Sequence, residues 1–339
     1  MSFRIKVSPE TLTILTTYKC TAACQDCCFE CSPRISTSLS EKEIISSIEQ
    51  ALRVFPKLKQ VVFSGGECFL LKNTLFSAIE YASKNGLLTR CITNGYWGKN
   101  LDKAIEIAAI LKASGLNEVN ISTGVDHQKW VPLDTVLNAA TSLVNAGIFT
   151  LITVEADTLD SSCLETITSN KAIQSLRLLN RELFMLQSNA WMPFHKSSQE
   201  RKTIAASSLD KGCDQLFKNC VVTAKGEVSA CCGLTLEHIP EMKLGRNHDL
   251  SCFVVNQEKD FLKLWLYTDG PVSIIRKLKG DDYLDKMNFH HQCQACVVLH
   301  TNKDIRSELE NNWHDHIIPV MQRYHLAQNG VCLPSKAIK

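Results

Sequence analysis

The sequence predicts an α/β fold in which six strand–helix units curve into an open or closed barrel, followed by a smaller cysteine-rich α+β domain. From Leu12 to Leu179, short apolar runs alternate with segments of helical periodicity, as in repeated strand–helix units around a parallel sheet. After about Arg181 the pattern changes to a polar linker and then to a cysteine-rich segment, residues 212–300. The length of 339 residues and the 45% apolar content are enough to bury a sizeable core, which excludes a disordered chain.

Apolar periodicity and local end signals place the elements of the barrel. Ser40 followed by Glu43 is a capping-box pattern that predicts a helix from there to about Phe55. Further amphipathic helices are predicted near 73–85, 101–114 and 133–146, each ended by a glycine at 86, 115 or 147. The six predicted strands are 12–16, 60–63, 88–93, 118–123, 149–155 and 175–179. In such a barrel the ligand site lies in the loops at the C-terminal ends of the strands.

These patterns divide the chain into four regions. Residues 1–180 form the barrel, 181–211 a linker and 212–300 the smaller domain. Residues 301–339 form a charged and aromatic tail, predicted to contain one helix to about Tyr324.

Charge and hydropathy exclude two classes of partner. With 37 Lys and Arg against 35 Asp and Glu, and no basic run, the chain is not expected to bind nucleic acid. No window approaches the apolar length that a bilayer span requires, so no membrane contact is expected. The 16 cysteines are clustered rather than spread as in a disulfide scaffold, which indicates metal binding in a reducing compartment and predicts a cytoplasmic protein.

The first cysteine cluster follows the first predicted strand. Cys20, Cys24 and Cys27 are spaced so that three thiolates on one loop can hold one face of an iron–sulfur cube and leave the fourth iron open. Zinc also binds thiolates, but structural zinc usually takes four ligands from paired CxxC units. Both metals remain possible on spacing alone.

Short polar motifs follow the next three predicted strands. Gly65 and Gly66 would let the backbone approach a ligand closely, and Glu67 offers an acceptor for an ammonium group. Thr93-Asn94-Gly95 stands at the end of the third strand, and Ser122 stands at the end of the fourth, with His127 five residues later.

Together these motifs resemble the radical S-adenosylmethionine (SAM) superfamily over nearly all of the first 180 residues. The resemblance implies a partial, TIM-like barrel of six strand–helix units and a four-iron four-sulfur (4Fe-4S) cluster on Cys20, Cys24 and Cys27. It also implies that SAM binds the open iron and is split reductively into methionine and a 5′-deoxyadenosyl radical. The residues assigned to SAM binding are Gly65, Gly66, Glu67, Asn94 and Ser122.

A second thiol set is predicted in the smaller domain. Cys213, Cys231, Cys293 and Cys296 supply the four thiolates of a complete tetrahedral site, for which zinc is again an alternative and Cys220 a competing ligand. The arrangement resembles the Twitch domain that follows many radical SAM barrels, which implies a second, auxiliary 4Fe-4S cluster.

Four segments are similar to one peptide-modifying branch, the epipeptide epimerase family. They are CTAACQDCCFECSP (20–33), FSGGECFL (63–70), TNGYWG (93–98) and GEVSACCG (226–233). The resemblance implies that the radical removes a Cα hydrogen from an L-residue of a precursor peptide and that a thiol, Cys232, returns a hydrogen from the opposite face. It also implies an electron donor such as flavodoxin or ferredoxin. One departure is Gly124, which stands where the family usually has Asp.

Two alternatives remain beside epimerisation. The same scaffold could crosslink a peptide through thioether or carbon–carbon bonds, or dehydrogenate a small molecule. A non-catalytic zinc-binding interaction module is the alternative from outside the enzymes.

Overall fold

The computed structural model describes residues 4–192, 198–202, 209–231, 237–287 and 289–328. Within these ranges the strands are β1 (Thr11–Thr17), β2 (Gln60–Gly65), β3 (Leu88–Thr93), β4 (Glu118–Thr123), β5 (Phe149–Glu155), β6 (Phe184–Asn189), β7 (Asn219–Val222), β8 (Glu227–Ser229) and β9 (Lys243–Arg246). The α-helices are α1 (Glu41–Val54), α2 (Asn73–Lys84), α3 (Leu101–Ala113), α4 (Leu133–Asn145), α5 (Cys163–Ser169), α6 (Lys171–Leu179), α7 (Ser251–Val255), α8 (Phe261–Thr268), α9 (Gly270–Lys279), α10 (Asp281–Leu284), α11 (Gln292–Thr301), α12 (Lys303–Asn312) and α13 (Ile317–Gln328).

The described strands form one sheet in the order β6-β5-β4-β3-β2-β1-β7-β8-β9. Strands β1 to β6 are parallel neighbours in chain order, which confirms the predicted α/β fold with six parallel strands. Strand β7 adds to β1 in parallel, and β8 and β9 continue the sheet antiparallel. The segment after the barrel is therefore hydrogen-bonded directly onto the barrel's first strand.

Side chains alternate between two environments along the barrel strands. On β1 and β2, Leu12, Ile14, Val61 and Phe63 are fully buried and belong to the core that also contains apolar residues of helices α1 to α4. The intervening residues, such as Thr13, border an internal cavity.

Several helix ends lie where the sequence predicts them. Helix α1 begins after Ser40, and the capping box with Glu43 is complete in both directions. Gly86, Gly115 and Gly147 follow α2, α3 and α4 with φ values of +78°, +88° and +73°. These left-handed conformations end the helices because glycine adopts them without a Cβ penalty.

The sixth predicted strand, 175–179, is wrong. Those residues end helix α6, whose N-cap Asn170 accepts hydrogen bonds from the amides of Ala172 and Ile173. Leu178 and Leu179 are 67% and 81% exposed, so the apolar run is not a core strand. The strand, β6, begins at Phe184 inside the region predicted to be a linker.

The tail also differs from the single helix predicted to about Tyr324. Helices α12 and α13 are separated by a 3₁₀ turn at Trp313–His316. Pro319 has no amide hydrogen and fits only the first turn of a helix, so the chain starts a new helix at Ile317. None of the helices in the described ranges is long and apolar enough to cross a bilayer.

Candidate functional site

A cavity of about 520 Å³ opens at the C-terminal ends of the barrel strands. This volume is in the range of small-molecule and cofactor sites. Of the residues predicted to bind the first cluster and SAM, all but Glu67 line it: Cys20, Cys24, Cys27, Gly65, Gly66, Asn94 and Ser122. The structure thus brings these sequence-distant residues together around one space.

The cysteine loop lies directly after β1. The amide of Ala22 lies 3.4 Å from Cys20 Sγ, and the amide of Cys31 lies 3.4 Å from Cys27 Sγ. Burial raises the pKa of Cys20 to about 12 and raises that of Cys24 as well. A hydrogen bond from the Cys31 thiol, with backbone bonds, lowers the pKa of Cys27 to about 6.

Gly65 and Gly66 allow the end of β2 to lie against the chain that leads into the cysteine loop. A Cβ on Gly65 would stand 2.3 Å from the carbonyl oxygen of Thr17, and one on Gly66 2.3 Å from that of Lys19. The Gly66 amide donates to Thr17 O at 2.6 Å, and the Glu67 amide to Lys19 O at 2.9 Å. These contacts need the absence of a side chain, so the glycines position the loop as well as border the cavity.

The carboxylate of Glu67 is fully buried behind the cavity wall. It accepts hydrogen bonds from Thr93 Oγ1 and the Asn94 amide at 2.9 Å and from the Phe69 amide at 3.0 Å. Burial raises its pKa to about 7 although these donors oppose the shift. Glu67 therefore links the ends of β2 and β3, and the ammonium contact predicted for it stays a prediction.

Asn94 connects the end of β3 to the cysteine loop. Its Nδ2 donates to Thr21 Oγ1 at 2.9 Å and lies 3.6 Å from Cys20 Sγ. Its Oδ1 accepts from the Tyr96 amide at 3.1 Å. The side chain is thus fixed beside the first thiol set.

At the end of β4, a carboxylate from the neighbouring strand orients His127. Glu155, 1% exposed, accepts from the Asp126 amide, and its Oε2 lies 3.3 Å from His127 Nδ1. Gly124 makes room for it, because a Cβ there would stand 2.0 Å from Glu155 Cγ. The His127 ring also contacts Trp191 edge-to-face, with centroids 5.3 Å apart, and both residues line the cavity.

A buried charge network supports the cysteine loop from outside. Arg201 donates to Asp126 Oδ2 at 2.7 Å and to the Ala156 carbonyl at 3.1 Å, and it lies 3.9 Å from Asp26 Oδ2. Asp26, between Cys24 and Cys27 in the chain, also accepts from Ser198. Sequence reasoning missed Glu155, Trp191 and Arg201. For these residues the one available sequence signal was Glu155, an acidic residue at the end of an apolar strand. No local pattern relates Asp26 to Arg201.

The second thiol set borders a separate cavity of about 260 Å³. Cys213, Cys231, Cys293 and Cys296 all line it, whereas Cys220 lies fully buried in β7 and does not. His291 accepts a hydrogen bond from the Cys293 amide at 3.1 Å, which fixes the start of α11. Cys232 lies outside the described residues.

Cys28, on the same loop as Cys20, Cys24 and Cys27, interacts electrostatically with a thiol of each set. Cys28 lines the larger cavity, and burial raises the pKa of its thiol, with additional contributions from Cys27 and from Cys231 of the second set. Burial likewise raises the pKa of Cys213 to about 11 and those of Cys293 and Cys296 further.

The chemistry of these donors fits a thiolate-bound metal centre in each cavity. Most of the thiols are too buried to ionise in an environment without cations, and a bound metal supplies the positive charge that favours the thiolate. Within the described ranges, no three His, Cys, Asp or Glu side chains form a group arranged for a single metal ion. The thiols instead surround each cavity.

Comparisons with known proteins agree with this geometry. Residues 14–159 match the family model of the radical SAM superfamily. A curated relative, the "Putative peptide biosynthesis protein YydG" of Bacillus subtilis (strain 168), is 28% identical over 129 residues, which are 38% of this chain and 40% of that protein. The match thus spans less than half of that relative's length.

Two solved structures share the fold over most of the chain. "Native anSMEcpe with bound AdoMet and Cp18Cys peptide" superposes with a TM-score of 0.55 at 14% identity, covering 93% of this chain and 99% of that one. "Native anSMEcpe with bound AdoMet" gives a TM-score of 0.55 at 14% identity, over 91% and 99%. At this identity the likeness shows the fold alone.

Proposed function

We propose that this protein, whose residues 14–159 match the radical SAM family model, is a radical SAM enzyme that modifies a ribosomally made peptide by L-to-D epimerisation. The observation that carries the proposal is the shared cavity at the strand ends, which brings Cys20, Cys24 and Cys27 together with four of the five residues predicted to bind SAM. The peptide substrate is supported by the relative named for peptide biosynthesis and by the fold neighbour with a bound peptide.

The proposal gives each of these residues a role. Cys20, Cys24 and Cys27 hold a 4Fe-4S cluster, which leaves one iron open for the amino and carboxyl groups of SAM. When bound, the cluster and SAM supply a 5′-deoxyadenosyl radical that removes a hydrogen atom from a carbon. Gly65, Gly66, Glu67, Asn94 and Ser122 are proposed to hold SAM against the cysteine loop.

Inversion requires abstraction and return of hydrogen on opposite faces of one Cα. Cys232 is the proposed donor: its S–H bond breaks, a new Cα–H bond forms and a thiyl radical remains. One electron from an external donor such as flavodoxin or ferredoxin, with one proton, restores the thiol. The position of Cys232 in the chain supports this role, since it directly follows Cys231 of the second set. Orientation of the reacting atoms decides the stereochemistry.

A second 4Fe-4S cluster on Cys213, Cys231, Cys293 and Cys296 is part of the same proposal. The four thiols border one cavity, and four thiolates complete the coordination of such a cluster. When bound, such a cluster would support the site structurally or tune it.

The test is an anaerobic reaction of the reconstituted protein with its co-expressed precursor peptide in deuterated water. Epimerisation gives a D-residue that carries one deuterium at Cα. Cys232→Ala should still form 5′-deoxyadenosine but give no inversion. Cys252→Ala, a half-buried cysteine that lines neither cavity, is the matched control and should behave as the wild type. Inversion by Cys232→Ala would contradict the donor assignment.

The four-thiol set also favours a second candidate, oxidation of the substrate radical. An auxiliary cluster that accepts an electron would lead to a thioether or carbon–carbon crosslink, or to dehydrogenation. The product would then lose two hydrogens in mass, whereas epimerisation in ordinary water leaves the mass unchanged. A preparation with no iron–sulfur absorbance and no 5′-deoxyadenosine would instead favour a zinc-binding module.

A further inference from the structure

The larger cavity extends well below the cysteine loop. Its walls include Thr11, Gln60 and Arg90, which lie in the N-terminal halves of β1, β2 and β3. Arg90 is three residues before Thr93, the last residue of its strand, and is therefore about 10 Å from the strand end at the rise of a β-strand. The cavity thus has an upper part, bordered by the cysteines, and a lower part inside the barrel.

Arg90 brings a guanidinium group to the lower part of the cavity. Among the described residues that line the cavity, it is the only side chain with a permanent charge, and no carboxylate lines this space. Its Nε lies 3.0 Å from Glu118 Oε1 on β4, and the two side chains are 27% and 23% exposed. Glu118 approaches the guanidinium at Nε and does not itself border the cavity.

The other polar side chains that line the lower part of the cavity are neutral and suited to peptide bonds. Asn120 Oδ1 accepts from Thr153 Oγ1 at 2.9 Å, and Asn219 Oδ1 accepts from Thr13 Oγ1 at 2.9 Å, so both carboxamides are held by neighbouring strands. Carboxamides can both donate to and accept from the backbone of an extended peptide. An arginine among them selects for an anion, because a partly buried guanidinium binds a carboxylate strongly and in a fixed geometry.

We propose that Arg90 binds a carboxylate of the substrate peptide and thereby determines which peptides the enzyme accepts. This inference rests on the proposed function, since it assumes that a peptide enters the cavity. The carboxylate belongs either to an Asp or Glu side chain or to the peptide's C-terminus. Because an extended chain advances about 3.3 Å per residue, it lies about three residues from the residue that reacts near the strand ends.

The ion pair with Glu118 gives the proposal a distinctive test. Glu118 competes with the substrate for the same guanidinium, so removing its charge should leave the anion site intact or strengthen it. Removing the charge of Arg90 should abolish the site. If the ion pair between Arg90 and Glu118 only stabilises the fold, neutralising either residue should change peptide binding in the same direction.

The experiment measures binding of three synthetic nonapeptides to the reconstituted holoenzyme with SAM by equilibrium dialysis and mass spectrometry. The first is acetylated and amidated with one central Asp, the second has Asn at that place, and the third has no Asp but a free C-terminal carboxylate. We expect the wild type to bind one of the two acidic peptides at least fivefold more tightly than the Asn peptide. Preference for the first peptide assigns the carboxylate to a side chain, and preference for the third assigns it to the C-terminus.

We expect Arg90→Gln to lose this preference, Arg90→Lys to keep part of it and Glu118→Gln to keep or increase it. Thermal unfolding of each variant identifies a folding defect, and Arg90→Lys together with Glu118→Gln tests the site if Arg90→Gln does not fold. Equal binding of all three peptides by the wild type, or a preference retained by Arg90→Gln, overturns the inference. Formation of 5′-deoxyadenosine in the same preparations separates these outcomes from failure of the proposed function.

Discussion

The side chain of Glu155 occupies space that is free only because residue 124 is a glycine. Gly124 has a φ of +137°, and a Cβ there would overlap Glu155 Cγ at 2.0 Å. Gly124→Ala therefore combines backbone strain with a clash against a buried side chain, and we expect it to lower the free energy of unfolding by about 3 kcal/mol. Urea denaturation measures this loss.

Gly86 is the matched control. It also has a positive φ, +78°, but no atom lies within 4 Å of the position of a Cβ. Gly86→Ala should therefore cost only the backbone contribution, about 1 kcal/mol. Glu155→Ala, made in the Gly124→Ala background, should recover part of the loss because it removes the clashing Cγ. Equal losses for the two glycine variants would argue against crowding at Gly124.

The buried carboxyl of Glu67 predicts a pH dependence of stability. Burial raises its pKa from 4.5 to about 7. Between these values the unfolded chain loses the proton first, so this residue's contribution to stability falls as the pH rises, by at most about 3 kcal/mol. Glu67→Gln cannot ionise, so its stability relative to the wild type should rise from pH 5 to pH 8 in urea titrations.

Glu43 provides a control of opposite sign. Its pKa is lowered by hydrogen bonds from the Ser40 backbone and side chain, so its contribution to stability is lost at acid pH and is constant from pH 5 to pH 8. Glu43→Gln should therefore show no rise over this range. A difference between Glu67→Gln and the wild type that does not change with pH would contradict the raised pKa.

At the scale of elements, Asp269 joins three helices. It precedes α9 and accepts hydrogen bonds from Trp265 Nε1 on α8 at 2.9 Å and from Arg323 Nε on α13 at 2.7 Å. Lys277 on α9 also donates to it. Burial opposes ionisation, but the hydrogen bonds and charges of Lys277 and Arg323 outweigh it and hold the pKa of Asp269 below its usual value. The carboxylate is therefore an anchor for the C-terminal helix.

We expect Asp269→Asn to lower the free energy of unfolding by about 2–4 kcal/mol near neutral pH. Because a lowered pKa stabilises the fold above the ordinary pKa, the difference from the wild type should shrink as the pH falls below 4. The control, Asp281→Asn, removes an ion pair with Arg276 in which the aspartate is 76% exposed and should cost under about 1 kcal/mol. Thermal melts across pH would show whether the two variants differ in this way.

Local signals were sufficient for some elements and not for others. The capping box at Ser40 and the glycines after α2, α3 and α4 are local, and the structure agrees with them. The run at 175–179 is apolar but ends a helix, because the Asn170 cap starts α6 a few residues earlier. The pairing of β7 with β1 joins residues about 200 positions apart, and no periodicity encodes it.

The same distinction holds for the site. The spacing of Cys20, Cys24 and Cys27 lies within eight residues and could be read directly. Arg90 is part of a predicted strand, and its position in the cavity depends on the alternation of side chains and on how the six parallel strands assemble around that space. Sequence patterns therefore identify donors within one loop, whereas the opposite wall of the cavity requires the folded chain.

At the scale of the whole molecule, the two thiol sets should contribute differently to stability. The first lies in one loop, residues 20–27, whereas the second joins Cys231 to Cys293, which are 62 residues apart (231 to 293). A metal centre that closes the longer loop removes more conformational entropy from the unfolded chain. The loop lengths differ by about three doublings, which corresponds to about 2 kcal/mol.

We therefore expect Cys296→Ser to lose about 2 kcal/mol more of the metal-dependent stabilisation than Cys27→Ser. Iron analysis should show that each variant loses about half of the iron of the wild type, if each set holds one cluster. Thermal unfolding of the iron-loaded and iron-free forms then gives the stabilisation for each protein. Equal losses of stabilisation in the two variants would mean that the second set does not join α11 to the β7–β8 segment. Only that long-range connection distinguishes the two sites in the unfolded chain.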